Sequence, residues 1–152
     1  SRAEAREYIA NYLDSYPGVR KYMKEIVETG RDLGYVSTIL GRRRYLPDLL
    51  SSNRMVRSNA ERMALNTPIQ GSSADIIKLA MLDINRQLKT HNMKSLIILQ
   101  VHDDLLLEVR ADELNQVAYL VKDCMETAFP LKVPLVADVK IGLDWYDMSS
   151  WE

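Results

Sequence analysis

Two adjacent carboxylates, Asp103 and Asp104, interrupt an otherwise apolar run that reads Leu96-Ile97-Ile98-Leu99-Gln100-Val101-His102 before them and Leu105-Leu106-Leu107-Glu108-Val109 after them. In apolar surroundings neighbouring anions cost roughly several kcal/mol in desolvation and repulsion unless a cation or solvent compensates them. A pair of divalent metal ions at that point would make the tip of a β-hairpin a place to polarise phosphates and activate an oxygen nucleophile. A solvated turn is the alternative, since Asp is favoured wherever a chain reverses. Upstream, Arg62, Asn66 and Gln70 are spaced by four and four. On a continuous helix they would share one face, with Pro68 expected to bend the line.

Several elements must position these groups. Ser1 and Glu4 have the spacing of a capping box, and Tyr8, Ile9, Tyr12, Leu13 and Tyr16 recur at helical intervals, which predicts a helix over about 2–15 that Pro17 ends. That proline opens a second helix with the stripe Val19, Tyr22, Met23, Ile26 and Val27, closed by Gly30 and Gly34. Tyr35 to Leu40 suits a short extended segment. A third helix is expected from about Asn53 to Asn66. A fresh helix should follow, with Thr67 as N-cap, Pro68 at its first position, Gln70 completing a capping box, and Ile69, Ile76, Ile77, Ala80, Met81, Ile84 and Leu88 on its buried face to about residue 89. Gly71, Ser72, Ser73 and Ala74 keep its first turns thin, which permits close approach by a backbone or a ligand. After the hairpin, Asp112 reads as N-cap to a helix with Leu114, Val117, Val121, Met125 and Ala128 along one side. Val133, Leu135, Ala137, Val139 and Ile141 then alternate as in a half-buried strand, with Pro134 marking an edge or a start. The resulting order predicts an α+β fold in which helices pack on an antiparallel hairpin and a further strand.

At 152 residues, 47% hydrophobic and 27% charged, the chain has the composition of one ordinary globular domain. It has no run of eighteen apolar residues and no basic-then-apolar leader, so neither a membrane span nor a signal peptide is expected and the cytoplasm is the expected location. The single Cys124 lies in an apolar helical pattern and reads as a buried structural thiol. Charge is unevenly spread. Residues 1–67 carry twelve Lys and Arg against eight Asp and Glu, whereas 68–152 carry eight against thirteen. The first part can face polyanions, although a solvated charged surface gives the same count.

Three stretches in order, Gly41-Arg42-Arg43-Arg44-Tyr45-Leu46-Pro47-Asp48-Leu49, the run from Glu61 through Gln70-Gly71 to Lys78, and Gln100-Val101-His102-Asp103-Asp104, resemble the C-terminal part of the polymerase domain of family A DNA polymerases, the bacterial DNA polymerase I type. The resemblance runs from the opening helix to Gly142-Leu143-Asp144-Trp145. It implies that about 1–67 are helices on the fingers side and about 68–152 the long helix, palm hairpin, helix and strand. It also implies addition of deoxynucleotides to a primer 3′ end by two-metal phosphoryl transfer. Asp103 would then be one of two carboxylates holding two Mg2+ ions, the other lying outside this chain. Asp104 stands where most members have glutamate, and being one methylene shorter it would reach metal directly, through water, or by supporting another ligand. His102 would lie against the primer terminus, donating to a sugar or phosphate oxygen. Arg62, Asn66 and Gln70 would touch the minor groove of the primer-template, where every Watson–Crick pair presents acceptors at purine N3 and pyrimidine O2.

For Arg62 the competing reading is an ion pair with Glu61 or Glu28, and for Gln70 the capping box. Of Arg42, Arg43 and Arg44 one suits template or phosphate contact, with salt bridges to Asp48 and solvent accounting for the others. The implied partners are primer-template DNA, deoxynucleoside triphosphates and the upstream remainder of a polymerase that works in replication and repair at the bacterial nucleoid. That remainder would carry the other palm aspartate and the triphosphate-binding helix, so the chain is expected to be inactive alone and to leave a sheet edge exposed. A non-catalytic primer-template-binding module and a purely structural remnant are the rival readings.

Overall fold

The computed structural model describes residues 1–151, which form two compact units dividing between Ser72 and Ser73. In the first, α1 (Arg2–Ser15) begins on the expected capping box, with the Ser1 hydroxyl accepting from the Glu4 N–H at 3.2 Å. Pro17 opens α2 (Pro17–Leu33), and Gly34, at φ 77°, ends it in the left-handed conformation that only glycine adopts without strain. Strands β1 (Tyr35–Ser37) and β2 (Arg43–Tyr45) pair antiparallel, so the extended segment acquires a partner in the arginine run that sequence reasoning left unassigned. A 3-10 turn (Pro47–Leu50) leads into α3 (Arg54–Thr90). The core of this unit is Val36, Leu46, Leu49, Ala60 and Ala64, with Ile26, Val27 and Met63 against it. Gly30 lets α2 approach closely: a Cβ there would stand 2.9 Å from Leu49 Cδ1 and 3.2 Å from Val36 Cγ1.

The expected break at Pro68 does not occur. α3 is a single helix of 37 residues with Pro68 inside it, so Thr67 is no N-cap and Gln70 completes no capping box. Proline removes one N–H and crowds the carbonyl four residues back, at a cost of about 3 kcal/mol or more. Tertiary packing outweighs that cost, because Ala64 and Ala60 are buried one and two turns earlier and the β1–β2 hairpin holds Thr67 just before the proline and Gly71 and Ser72 just after it. Ile69, placed on the buried face by the restart, is instead exposed, while Ile77, Ala80, Ile84 and Leu88 are buried as expected.

In the second unit, β3 (Leu96–Val101) and β4 (Asp104–Glu108) form the antiparallel hairpin, with a bulge between Ile97 and Leu99. Helix α4 (Leu114–Glu126) buries Val117, Ala118, Val121 and Cys124. Ile84 and Leu88 join Val117, Val121 and Cys124 in the core, which Ile97, Leu105 and Leu107 of the hairpin cover. Asp112 does not cap α4. Its carboxylate takes both arms of the Arg110 guanidinium at 3.0 and 2.9 Å, a bidentate charged pair that outcompetes a cap, and Glu113 occupies the N-cap position. The Glu113 carboxylate reaches the start of the hairpin, accepting from the Lys94 and Ser95 amides at 2.9 and 3.1 Å and from Ser95 Oγ at 2.6 Å.

The long strand expected over 133–141 is reduced to β5 (Lys140–Gly142), which pairs with β6 (Met148–Ser150). Its alternation survives from Leu135 onward without a ladder: Val133, expected inward, is exposed, whereas Leu135, Ala137, Val139 and Ile141 are buried or half-buried and Pro134, Val136, Asp138 and Lys140 are exposed. Pairing stops short because Pro134 has no N–H to donate and the Ala137 N–H is taken by Glu126 Oε1 at 3.1 Å. Among the described residues the sheets are therefore three separate two-stranded pairs within an α+β chain. No helix among them is long and apolar enough to cross a membrane.

Candidate functional site

The hairpin reverses in two residues. Val101 pairs with Asp104, leaving His102 and Asp103 as the turn. His102 has φ 56°, a region where histidine, asparagine and aspartate are the commonest non-glycine occupants. Gln100 Nε2 donates to the His102 carbonyl at 2.6 Å and braces the turn from within the same motif. Sequence reasoning gave Gln100 no role, although its place two residues before a turn carbonyl is the signal for such a brace.

His102, Asp103 and Asp104 are all exposed. The desolvation penalty expected for adjacent carboxylates is therefore not incurred, because water reaches both of them. Neither carboxylate has a hydrogen-bond or ion-pair partner among the described residues, so their oxygens face outward uncommitted. Both line a cleft between the hairpin, α4 and the β5 segment, whose floor includes Val117 and Val121. Asp138 and Lys140 line the same cleft from the outward positions of the alternating segment, and sequence reasoning assigned them nothing. Among the described residues no three His, Cys, Asp or Glu side chains converge as a metal site.

Arg62, Asn66 and Gln70 lie on α3 within the first unit, all exposed, one turn apart. At about 1.5 Å rise per residue the three span roughly 12 Å, and at 100° per residue the stripe drifts by about 80°. Neither ion pair considered for Arg62 forms: Glu61 is held by Arg31 at 2.5 Å and Glu28 by Lys24 at 3.8 Å. Arg62 Nη2 makes a single 3.4 Å bond to Asn59 Oδ1, which leaves most of its donors facing outward.

The arginines of the run are exposed, yet each contacts the chain itself. Arg42 Nη2 donates to the Gly71 carbonyl at 3.1 Å, the Arg43 guanidinium sits 4.5 Å from the Tyr35 ring centre, and Arg44 Nη1 donates to Thr67 Oγ1 at 3.4 Å. Asp48 makes no ion pair among the described residues, so the expected salt bridges to it are absent. The close approach expected at the thin turns is occupied by the chain's own hairpin. The Ile39 N–H donates to Ser72 Oγ at 2.8 Å, and a Cβ on Gly71 would stand 2.6 Å from Thr38 Cγ2.

Cys124 is buried, and burial together with the neighbouring Asp83 pushes its thiol up to about 11, as an inert structural cysteine requires.

Against known proteins, the model of DNA polymerase family A matches residues 1–147. DNA polymerase I of Bacillus caldotenax is 53% identical over 147 residues, 97% of this chain and 17% of that protein. DNA polymerase I of Mycobacterium leprae (strain TN) is 50% identical over 145 residues, 95% of this chain and 16% of that protein. Among solved structures, the POL domain of Pol1 from M. smegmatis, in complex with DNA primer-template and dNTP, matches at 52% identity with a TM-score of 0.86, over 89% of this chain and 24% of that one. The chain thus spans less than a fifth of the length of the relatives it matches.

Proposed function

Because this chain belongs to DNA polymerase family A, we propose that it forms the fingers-side helices and the palm hairpin of a DNA-directed DNA polymerase acting in replication and repair, and that it extends a primer 3′ end only together with the rest of such a protein. The single observation that carries this reading is the uncommitted carboxylate pair at a braced hairpin tip, Asp103 in the turn and Asp104 opening β4, in a chain half identical to bacterial DNA polymerase I.

The donor set fits a hard divalent cation. Mg2+ is commonly bound through one or two carboxylates, with water and substrate phosphate completing its shell, and Asp103 and Asp104 offer that number of carboxylates, neither of them in an ion pair among the described residues. When bound, two Mg2+ ions supply charge neutralisation at the transferring phosphoryl group and ease ionisation of the attacking hydroxyl. Asp103, at the turn itself, would hold the ion, and Asp104, on the first rung of β4, would hold it directly or through water. His102 donates from its imidazole to the primer terminus. Arg62, Asn66 and Gln70 donate to minor-groove acceptors common to all four base pairs, which tests pair geometry without reading sequence. Primer-template DNA and deoxynucleoside triphosphates are accordingly the substrates, as they are the ligands named for the M. smegmatis structure.

The test is primer extension by the intact polymerase carrying Asp103→Asn. The expected result is a loss of about a thousandfold, on the order of what removing one charge-stabilising group from a reacting centre costs, with primer-template affinity retained. Unchanged extension would leave the non-catalytic DNA-binding module as the better reading.

A further inference from the structure

We infer that Ser72 is a positioning residue for the DNA-facing stripe, acting through the β1–β2 hairpin as a strap that holds the proline-weakened stretch of α3. This rests on the minor-groove role proposed for Asn66 and Gln70, and it concerns residues of the first unit only.

Pro68 deprives the helix of one N–H, so the Ala64 carbonyl loses its usual partner within the same turns that carry Asn66 and Gln70. The Ser72 hydroxyl does not replace that bond, but it fixes the weakened stretch from outside. It donates back to the Pro68 carbonyl and at the same time accepts the Ile39 N–H at 2.8 Å, tying the helix to the hairpin turn. Serine back-bonding of this kind normally bends a helix slightly, and here the bond is anchored from outside. Two further bonds from the same hairpin land beside it, Arg42 Nη2 on the Gly71 carbonyl at 3.1 Å and Arg44 Nη1 on Thr67 Oγ1 at 3.4 Å. The gripped residues are Thr67, Pro68, Gly71 and Ser72. By the 100° step of the helix, Pro68, Gly71 and Ser72 lie about 100° to 160° round from both Asn66 and Gln70, while Thr67 lies about 100° from Asn66 and about 60° from Gln70. The strap therefore holds the back of the segment whose front presents the amide donors. Gly71 sets how close it sits, since a Cβ there would meet Thr38 Cγ2 at 2.6 Å.

Two variants probe the bridge from opposite ends in the intact polymerase. Ser72→Ala removes the hydroxyl. Ile39→Pro removes the N–H donor at the second position of the Thr38–Gly41 turn, where proline is favoured, and leaves the helix sequence untouched. Both should weaken primer-template affinity about two- to tenfold, the scale of one hydrogen bond, while kcat at saturating DNA stays within about twofold of the parent. Ser72→Thr, which keeps the hydroxyl, should restore affinity. On a Gln70→Ala background Ser72→Ala should cost less than half of what it costs in the parent. Parental affinity in both variants, or a full additional loss on Gln70→Ala, overturns the inference while leaving the interface intact. Parental affinity in Gln70→Ala itself overturns the interface reading and the inference with it.

Discussion

His102 turns the hairpin at φ 56°, where a β-branched side chain is strained by about 1–2 kcal/mol and glycine is not. Its backbone and imidazole roles can therefore be separated. His102→Gly should keep the melting temperature within about 2 °C while weakening contact with the primer terminus, whereas His102→Val should lower thermal stability by about 1–2 kcal/mol, both read from thermal melts alongside DNA binding. Gln70→Ala should weaken primer-template affinity by roughly 1 kcal/mol, equally across template sequences, because its proposed acceptors are shared by all base pairs. Titration of several duplexes by fluorescence anisotropy checks this. Cys124, buried and pushed up to about 11, should resist alkylation by iodoacetamide at pH 7.5 in the native protein and react on unfolding, as followed by mass spectrometry.

Helix α4 is tied to the hairpin through Glu113, and this element carries a pH dependence. Hydrogen bonds from the Ser95 hydroxyl and the Lys94 amide hold its carboxyl below the ordinary value of 4.5. A depressed folded pKa means that the ionised form is favoured in the native state. The stabilisation is fully present above about 4.5 and is lost as pH falls through the lower, folded value. Glu113→Gln should therefore flatten the acid limb of a stability–pH curve below pH 4.5, measured by urea unfolding at successive pH values. Truncating the fully buried Ile84 to Ala, in contrast, should cost about 2–5 kcal/mol at any pH.

The same elements show what the sequence made legible. The capping box, the Pro17 start and the Gly34 stop depend on neighbours within a turn, and α1 and α2 fall where those residues predict. The break at Pro68 and the strand over 133–141 were misread because each depends on partners distant in sequence. One is a hairpin that grips the helix past its proline, and the other is a ladder that forms only at Lys140–Gly142. For the candidate site, a hairpin reversing near the acidic pair was visible in the hydrophobic flanks, whereas the turn's place at His102-Asp103 with Asp104 already in β4, the Gln100 brace and the shared lining by Asp138 and Lys140 needed coordinates.

At the scale of the whole molecule, the charge division follows the proposed labour only in part. The basic first part carries Arg62 and Asn66, whereas the acidic second part carries Gln70 and His102 together with the carboxylates assigned to cations, within a chain of net charge −1. The account stands on Asp103 and Asp104 gripping divalent cations during nucleotide addition. The most direct measurement is Mn2+ binding, followed by electron paramagnetic resonance, to the intact polymerase complexed with a chain-terminated primer-template and the next nucleotide. The parent should retain tightly bound Mn2+, and Asp103→Asn should weaken it by at least about tenfold, the loss expected when one carboxylate ligand becomes neutral. Equal Mn2+ stoichiometry and affinity in parent and Asp103→Asn would contradict the account.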